Sequence, residues 1–208
     1  IGIRAQLAPW RQLRTDANLA VQAARQPDKE ALRCGDRTMT YAELDAVANR
    51  AATGLLAKGL RPGDVVGVIA GNTPEVFGFL YGVARSGISL LPLNPRYAKA
   101  EIDYQFADAG AKLLVSATPE LGGQLTIEDV LNVGHDAPPD IEWDESSLFH
   151  VRYTSGTTGT PKCIATTQRA IAHMHLTFAR ELSYRETDVA LITAPMAHAA
   201  FHIAAATV

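Results

Sequence analysis

One stretch of the chain, from Tyr153 to Lys162, has the composition of a loop that binds a polyphosphate. It reads Tyr-Thr-Ser-Gly-Thr-Thr-Gly-Thr-Pro-Lys and holds five hydroxyl side chains from Thr and Ser, two glycines and a terminal lysine. Glycine lets the backbone turn its N–H groups toward one point and lets a bulky anion come close. Hydroxyls add short donors, and the lysine adds a mobile positive charge for phosphate oxygens. The stretch therefore predicts a site for a phosphate chain.

Two common nucleotide-binding motifs do not match this stretch. Gly156 and Gly159 are too close together for a Walker A loop, and Pro161 stands where that motif has a glycine before its lysine. The dinucleotide fingerprint Gly-x-Gly-x-x-Gly is absent too. Residues of these types also form ordinary surface turns, so composition alone leaves a turn without a ligand as an alternative.

The elements before this stretch follow the pattern of a parallel α/β sheet. Short apolar runs at 65–69, 88–93 and 113–115 predict buried strands, and helical patterns at 73–86 and 99–109 predict the connections between them. This order predicts an α/β fold with doubly wound, mostly parallel sheet layers, helices on both faces and right-handed crossovers.

Local signals also mark the elements that come first in the chain. A helical pattern covers 18–25, and Gly35-Asp36 predicts the turn of a hairpin. Thr40 and Glu43 have the spacing of a capping box, which predicts a helix that begins there and ends before Gly59.

The candidate phosphate loop lies between two predicted strands. Apolar patterns at 148–153 and 163–167 flank it, whereas a Walker A loop would lead into a helix. A helix is expected over 169–182, and the run 188–194 predicts a buried strand. The predicted helix has apolar residues at helical spacing that indicate core packing and not a ligand site: Ile171, Met174, Phe178 and Leu182.

Composition divides the chain into three parts. Residues 1–132 are expected to form an α/β subdomain, 133–147 an acidic, proline-containing linker, and 148–208 the start of a second α/β subdomain that carries the candidate loop. The chain has no initiator Met and stops within an apolar segment, so we expect it to be part of a longer product.

Charge and composition exclude several classes of protein. A net charge of −3 without a basic run does not provide the basic surface expected of a nucleic-acid-binding protein. Cys34 and Cys163 are too few for a disulfide framework or a zinc site, which favours the cytoplasm. Residues 189–208 lack Asp, Glu, Lys and Arg, but Pro195 and two histidines interrupt them, so we expect a strand, a loop and the start of a helix and not a membrane span.

The complete string Thr-Ser-Gly-Thr-Thr-Gly-x-Pro-Lys after an apolar strand resembles the phosphate loop of the adenylate-forming superfamily. This superfamily includes acyl- and aryl-CoA synthetases, adenylation domains of peptide synthetases, and luciferases. Four further stretches resemble it in the expected order, at 39–44, 63–68, 91–96 and 194–198. The resemblance covers nearly the whole chain.

The resemblance implies an AMP-forming acid–thiol ligase of the acyl-CoA synthetase type, such as those of fatty acid metabolism. A carboxylic acid attacks the α-phosphorus of ATP to form an acyl-adenylate, and a thiol, often that of coenzyme A, displaces AMP. Lys162 and Thr154 are the implied catalytic residues, and no side chain of this chain is assigned to a metal. Mg²⁺ is implied as a bridge between the β- and γ-phosphates. The implied phosphate-binding residues are Thr154, Ser155, Gly156, Thr157, Thr158, Gly159, Thr160 and Lys162.

His198 is the candidate on the acyl side, because the matching position of the family borders the carboxylate pocket. A hydrogen-bonded core histidine is nearly as good an interpretation. His198 and His202 are four residues apart, but Ala199 replaces the glutamate of a His-Glu-x-x-His zinc motif, so zinc is not expected. His173 and His175 are two apart on a predicted helix and cannot share a face.

The chain departs from the family at two places, with Cys163-Ile164 after the lysine and Gln168 where a histidine is common. The family's segments for adenine, ribose, Mg²⁺ and the catalytic lysine of its C-terminal part correspond to positions after Val208. We therefore expect the 208 residues alone to be inactive. Two alternatives stay open: an adenylation module that loads a carrier protein, and a non-catalytic nucleotide-binding fragment. The oligomeric state and the acid are not predicted.

Overall fold

The computed structural model describes residues 15–154, 161–196 and 200–207. Its strands are β1 (Glu30–Cys34), β2 (Arg37–Thr40), β3 (Val65–Ile69), β4 (Ser89–Leu93), β5 (Leu113–Ser116), β6 (Leu125–Thr126), β7 (Leu148–Thr154) and β8 (Lys162–Thr167). Its α-helices are α1 (Ala17–Arg25), α2 (Tyr41–Ala57), α3 (Pro74–Arg85), α4 (Lys99–Asp108), α5 (Ile127–Leu131), α6 (Gln168–Glu181) and α7 (Phe201–Ala205).

Six of the strands form one sheet in the order β6-β5-β3-β4-β7-β8. All neighbours are parallel except β7 and β8, which are antiparallel. The chain passes from β3 to β4 on one side and then back across β3 to β5, which is the order of a doubly wound sheet. The predicted fold class is confirmed.

Alternate side chains of the central strands enter two separate cores, because successive residues of a strand point to opposite faces. Val66 and Val68 of β3 pack in the larger core with α2 and α3, whereas Ile69 packs in a smaller core beside Ile102 of α4. Gly67 faces the second core, where an added Cβ would lie 2.9 Å from Leu114 Cδ1. Helices therefore cover both faces of β3, as its uninterrupted apolar run predicts.

The local signals before the sheet are also confirmed. β1 and β2 form the predicted antiparallel hairpin. Thr40 Oγ1 accepts a hydrogen bond from Glu43 N at 3.2 Å, and Glu43 Oε2 accepts one from Thr40 N at 2.8 Å, which completes the capping box. Gly59 follows the helix with a φ of 95°, a backbone conformation that favours glycine.

Helices α2 and α3 pack closely because glycines of α3 face α2. A Cβ added to Gly82 would lie 2.4 Å from Ala51 Cβ and 2.6 Å from the Ala48 carbonyl oxygen. A Cβ added to Gly78 would lie 2.5 Å from Val47 Cγ1. The close contact brings the end of α3 against α1 and α2, where Arg85 is buried.

Two expectations for the last part of the chain are wrong. The run Asp188–Ala194 is not a strand, and Val189 and Leu191 are 95% and 87% exposed. A strand needs a neighbour for its backbone hydrogen bonds, and no strand of the described residues pairs with this run. Leu182, expected in the core row of the last long helix, is 56% exposed because that helix ends at Glu181.

The division into two subdomains at 133–147 stays a prediction. β7, which follows that linker, pairs with β4 of the same sheet through Leu90 and His150. The linker itself is irregular, and Trp143 Nε1 donates a hydrogen bond to the Arg85 carbonyl oxygen at 3.0 Å. Among the described helices, none has the length and apolar character needed to cross a membrane.

Candidate functional site

The predicted phosphate stretch begins and ends on neighbouring residues of an antiparallel hairpin. Thr154 is the last residue of β7, Lys162 is the first of β8, and the two are paired in register. Thr154 Oγ1 donates a hydrogen bond to the Lys162 carbonyl oxygen at 3.5 Å. This confirms that the stretch joins two strands and does not lead into a helix. The hairpin therefore brings a hydroxyl and an ammonium group to the two ends of one loop.

Ser155, Gly156, Thr157, Thr158, Gly159 and Thr160 lie outside the described residues, as does His198. Their predicted roles stay predictions. Thr154 and Lys162 are both exposed. No carboxylate of residues 15–154, 161–196 or 200–207 forms an ion pair with Lys162. The lysine charge is therefore not neutralised by the described part of the protein, which suits an anionic ligand.

The hairpin ends at the edge of the sheet where open α/β proteins bind ligands. Because β3, β4, β5 and β7 are parallel, their carboxyl ends lie at one edge. Ligands of doubly wound sheets bind in crevices outside this edge. Thr154 therefore shares an edge with the loops that follow β3 and β4, which contain Asn72 and Asn94.

Two side-chain hydrogen bonds attach β7 to its neighbours, one to helix α4 and one to strand β4. Tyr153 Oη donates a hydrogen bond to Asp108 Oδ2 of α4 at 2.6 Å, and its ring meets that of Tyr104 edge-on at 6.2 Å. Partial burial and the bond to the Asp108 carboxylate raise the pKa of Tyr153, so the phenol stays protonated. At the other end of β7, Ser89 Oγ donates to the Leu148 carbonyl oxygen at 2.8 Å. The hairpin is therefore attached to a rigid support.

The departure at Gln168 has a structural effect away from the phosphate stretch. Gln168 is fully buried, and its Nε2 donates a hydrogen bond to the Ala84 carbonyl oxygen of α3 at 3.0 Å. Its main-chain carbonyl oxygen accepts a bond from Thr15 Oγ1 at 3.4 Å. The side chain therefore joins the start of α6 to the end of α3.

Sequence reasoning missed a row of three buried histidines, because the rings come from separate elements. His202 Nε2 lies 3.1 Å from His150 Nδ1, and His202 Nδ1 lies 3.3 Å from His175 Nε2. Burial lowers the pKa of His175 to about 4, and burial together with His150, His175 and Arg152 lowers the pKa of His202 to about 2. These two rings are thus neutral near pH 7.

The structure also shows the surroundings of His202 and of the pair His173 and His175. Both ring nitrogens of His202 are hydrogen-bonded to other histidines, so His202 serves core packing. His173 is exposed while His175 is buried, which confirms that they lie on different faces of α6. The described residues contain no group of three or more His, Cys, Asp or Glu side chains with the arrangement of a metal site.

Asn72 is a second polar residue that the sequence analysis missed. Its Nδ2 donates to the Ala194 carbonyl oxygen at 2.9 Å, and its Oδ1 accepts from Met196 N at 2.8 Å. Its place in the loop between β3 and the capping Thr73 was a signal, since loops at this edge of a parallel sheet carry binding residues. Its partners more than a hundred positions later could not be read from spacing.

Comparison with known proteins agrees with this fold. Residues 19–208 match the family described as AMP-binding enzyme. The chain is 33% identical over 189 residues to feruloyl-CoA synthase of Amycolatopsis sp., covering 86% of this chain and 38% of that protein. It is 30% identical over 175 residues to bacitracin synthase 2 of Bacillus licheniformis, covering 82% of this chain and 7% of that protein.

A solved structure shows the same fold. The crystal structure of apo MatB from Rhodopseudomonas palustris superposes with a TM-score of 0.83 and 25% identity, covering 94% of this chain and 43% of that chain. The chain spans less than half the length of each of these relatives. The fold and the family match together place the chain in the adenylate-forming superfamily. The chain belongs to the AMP-binding enzyme family.

Proposed function

We propose that the chain carries the phosphate-binding part of an enzyme that activates a carboxylic acid with ATP. The observation that supports this most directly is the β7–β8 hairpin, which presents Thr154 and Lys162 on the ends of the Thr/Ser/Gly stretch at the carboxyl edge of the sheet. Membership of the AMP-binding enzyme family supports a nucleotide as the ligand of that stretch.

In this proposal the carboxylate oxygen attacks the α-phosphorus of ATP, and the bond from that phosphorus to the bridging oxygen breaks. Pyrophosphate leaves with the electron pair, and an acyl-adenylate forms. Negative charge grows on the leaving group, so groups that hold its oxygens lower the barrier. Lys162 supplies a positive charge there, and Thr154 with the hydroxyls and amides of 155–160 supplies donors. Mg²⁺ bound with ATP would offset part of the negative charge of the phosphates, and we assign no side chain of this chain to hold it.

The second half-reaction transfers the acyl group to a thiol. The sulfur attacks the acyl carbon, the bond to the AMP oxygen breaks, and the thiol proton is lost to solvent or a base. We propose coenzyme A as the acceptor, as the name of the feruloyl-CoA synthase relative suggests. The bacitracin synthase relative favours a second candidate acceptor, the thiol of a carrier protein. His198 is our proposal for a residue of the acid pocket.

Carboxylate-dependent exchange of labelled pyrophosphate into ATP tests the first half-reaction. The full-length protein that contains this chain is incubated with Mg²⁺, ATP, labelled pyrophosphate and one acid at a time from a panel of aliphatic, aromatic and amino acids. We expect exchange that depends on one class of acid. A folded protein that gives no exchange with any acid would overturn the enzymatic proposal. Product analysis with coenzyme A and with a phosphopantetheinylated carrier then separates the two acceptors.

Lys162→Ala tests the role of the hairpin in the same assay. Removing one positioned donor from a developing anion costs about 100- to 1000-fold in rate, so we expect a loss of that order. Lys58→Ala, which removes an exposed lysine at the end of α2, is the matched control and leaves exchange unchanged. Because Lys162 is exposed, its removal leaves the melting temperature unchanged. An equal loss of melting temperature and activity would assign the lysine a structural role.

A further inference from the structure

The two faces of the β7–β8 hairpin carry different chemical groups, because successive side chains of a strand point to opposite faces. Tyr153 lies on the face toward α4, where its hydroxyl donates to Asp108 Oδ2 at 2.6 Å. His150 lies on the face toward α7, where its Nδ1 is 3.1 Å from His202 Nε2. Arg152 alternates with Tyr153 and therefore shares the face of His150. Burial, the neighbouring histidines and the charge of Arg152 all lower the pKa of His202, which agrees with this placement.

The register of the hairpin places a lysine on the same face as Arg152. Arg152 is paired with Ile164, and Thr154 is paired with Lys162. Paired residues of an antiparallel hairpin share a face, and diagonal neighbours on that face are about 7–8 Å apart. Arg152 and Lys162 are diagonal neighbours of this kind, and the side chain of Thr154 lies beside both. One face of the hairpin therefore presents two cations and a hydroxyl group.

Neither of these cations is neutralised by the part of the chain that the structure describes. No carboxylate there forms an ion pair with Arg152 or Lys162. The carboxylate of Asp108, which does contact the hairpin, lies on the opposite face. Arg152 is partly exposed and Lys162 is exposed. Two like charges at this spacing repel each other, so an anion that contacts both is attracted by both.

We propose that Arg152 is a second phosphate-binding residue, which holds oxygens of the β- and γ-phosphates of ATP together with Lys162. The inference rests on the proposed function and extends the phosphate site from the loop into strand β7. A guanidinium group can donate two parallel hydrogen bonds to phosphate oxygens, whereas an ammonium group acts as a point charge. Because β7 lies between β4 and β8 in the sheet, Arg152 is carried by a well-supported strand and restricts the orientation of the polyphosphate.

Calorimetric titration of the full-length protein with Mg²⁺-ATP, Mg²⁺-pyrophosphate and AMP tests this role. Arg152→Gln removes the charge and keeps a polar side chain, and Arg152→Lys keeps the charge without the two-pronged donor. Arg180→Gln, which removes an exposed arginine of α6, is the matched control.

We expect Arg152→Gln to lose about 10- to 100-fold in affinity for ATP and for pyrophosphate, as for a hydrogen bond to a charged group. Its affinity for AMP, which lacks the two outer phosphates, stays within about twofold of the wild type. Arg152→Lys loses less affinity than Arg152→Gln, and the control loses none. An affinity of Arg152→Gln for ATP within about twofold of the wild type, or an equal loss for AMP, would overturn the proposal.

The melting temperature separates ligand binding from a structural role of the arginine. Without ligand, Arg152→Gln should melt at or above the temperature of the wild type, because its removal relieves the repulsion from Lys162. Mg²⁺-ATP should raise the melting temperature of the variant less than that of the wild type, since a ligand stabilises a protein according to its affinity. A lower melting temperature without ligand, together with an unchanged response to ATP, would assign Arg152 to the packing of the hairpin.

Failure of this inference differs from failure of the proposed function. A wild-type protein that neither binds Mg²⁺-ATP nor exchanges pyrophosphate removes both. Loss of ATP affinity in Lys162→Ala but not in Arg152→Gln removes the inference alone. Binding of Mg²⁺-ATP that depends on both cations, without exchange for any acid, would overturn the enzymatic proposal and support the second phosphate-binding residue.

Discussion

Two apolar runs of similar composition have opposite structures in this protein. Val65–Ile69 is a strand with parallel neighbours on both sides, and Val66 and Ile69 are 0% and 1% exposed. Asp188–Ala194 is irregular, and its valine and leucine project into solvent. The difference lies in the neighbours and not in the residues, since a strand is stabilised by hydrogen bonds and side-chain contacts that other strands supply.

The first and last parts of the chain also differ in the polar groups that they bury. At the end of α3, Arg85 Nε donates to Asp16 Oδ2 at 3.0 Å and Nη2 donates to Asp45 Oδ1 at 2.7 Å. Burial alone would lower the pKa of Arg85, but both carboxylates outweigh it and raise the pKa. The first part of the chain thus buries a paired charge, whereas the last part buries neutral rings of histidine.

The largest effect is expected from the buried ion pairs. Arg85→Ala removes the buried cation that pairs with Asp16 and Asp45, and removing one partner of a buried pair costs about 3–5 kcal/mol. Arg180→Ala, on the exposed face of α6, is the matched control and changes stability by less than about 0.5 kcal/mol. The denaturant concentration at the midpoint of unfolding, determined for both variants and the wild type, measures these changes in stability. A cost for Arg85→Ala as small as that for Arg180→Ala would show that the network stabilises little.

The same substitution in a buried strand and in the irregular run sharpens the comparison directly. Leu91→Ala in β4 empties a fully buried site and is expected to cost about 2–5 kcal/mol. Leu191→Ala removes an exposed side chain and is expected to change stability by less than about 0.5 kcal/mol. Chemical unfolding of the two variants in parallel measures the difference. Similar costs at both positions would mean that Leu191 is buried in solution and that the two runs are alike.

Acid is expected to weaken the last part of the chain first. The pKa of His175 falls from its ordinary value of 6.5 to about 4 in the folded protein. Well above pH 6.5 the ring is neutral in both states and contributes no pH dependence. As the pH falls through 6.5, His175 becomes protonated in the unfolded chain but stays neutral in the folded protein. The free energy of unfolding therefore decreases until the folded ring titrates near pH 4. Lowering the pH from about 7 to about 5.5 should reduce the free energy of unfolding by about 1 kcal/mol through this ring.

His175→Gln tests this pH dependence, because an amide fills much of the same volume without titrating. The free energy of unfolding of the variant should fall less over that pH interval than that of the wild type. His173→Gln, on the exposed face of α6, should leave the pH dependence unchanged. If all three proteins lose stability equally, the buried row of histidines does not cause the acid sensitivity.

Much of the fold could be predicted because its signals are local. The strand runs at 65–69 and 113–115 and the caps at Thr40 and Thr73 each depend on a few adjacent residues. The failure at Asp188–Ala194 has the opposite origin, since burial of that run depends on a neighbouring strand. Sequence patterns report what a segment could pair with, and they do not report whether a partner is present.

The candidate site also has a part that local sequence predicts and a part that depends on long-range packing. A strand, a glycine-rich stretch and a second strand predict that Thr154 and Lys162 meet, because a hairpin brings its ends together. The contacts of Asn72 and the row of His150, His175 and His202 could not be predicted. Their partners meet only after the sheet and helices have packed, and no spacing rule relates positions so far apart.

In the proposed function, Lys162 of the hairpin binds the β- and γ-phosphates of ATP. Calorimetric titration of the full-length protein and of Lys162→Ala with Mg²⁺-ATP and with AMP tests it most directly. ATP carries the two outer phosphates and AMP lacks them, so we expect the variant to lose about 10- to 100-fold in affinity for ATP, as for a charged hydrogen bond, and to keep its affinity for AMP. Equal losses for both nucleotides, or none for either, would contradict the claim.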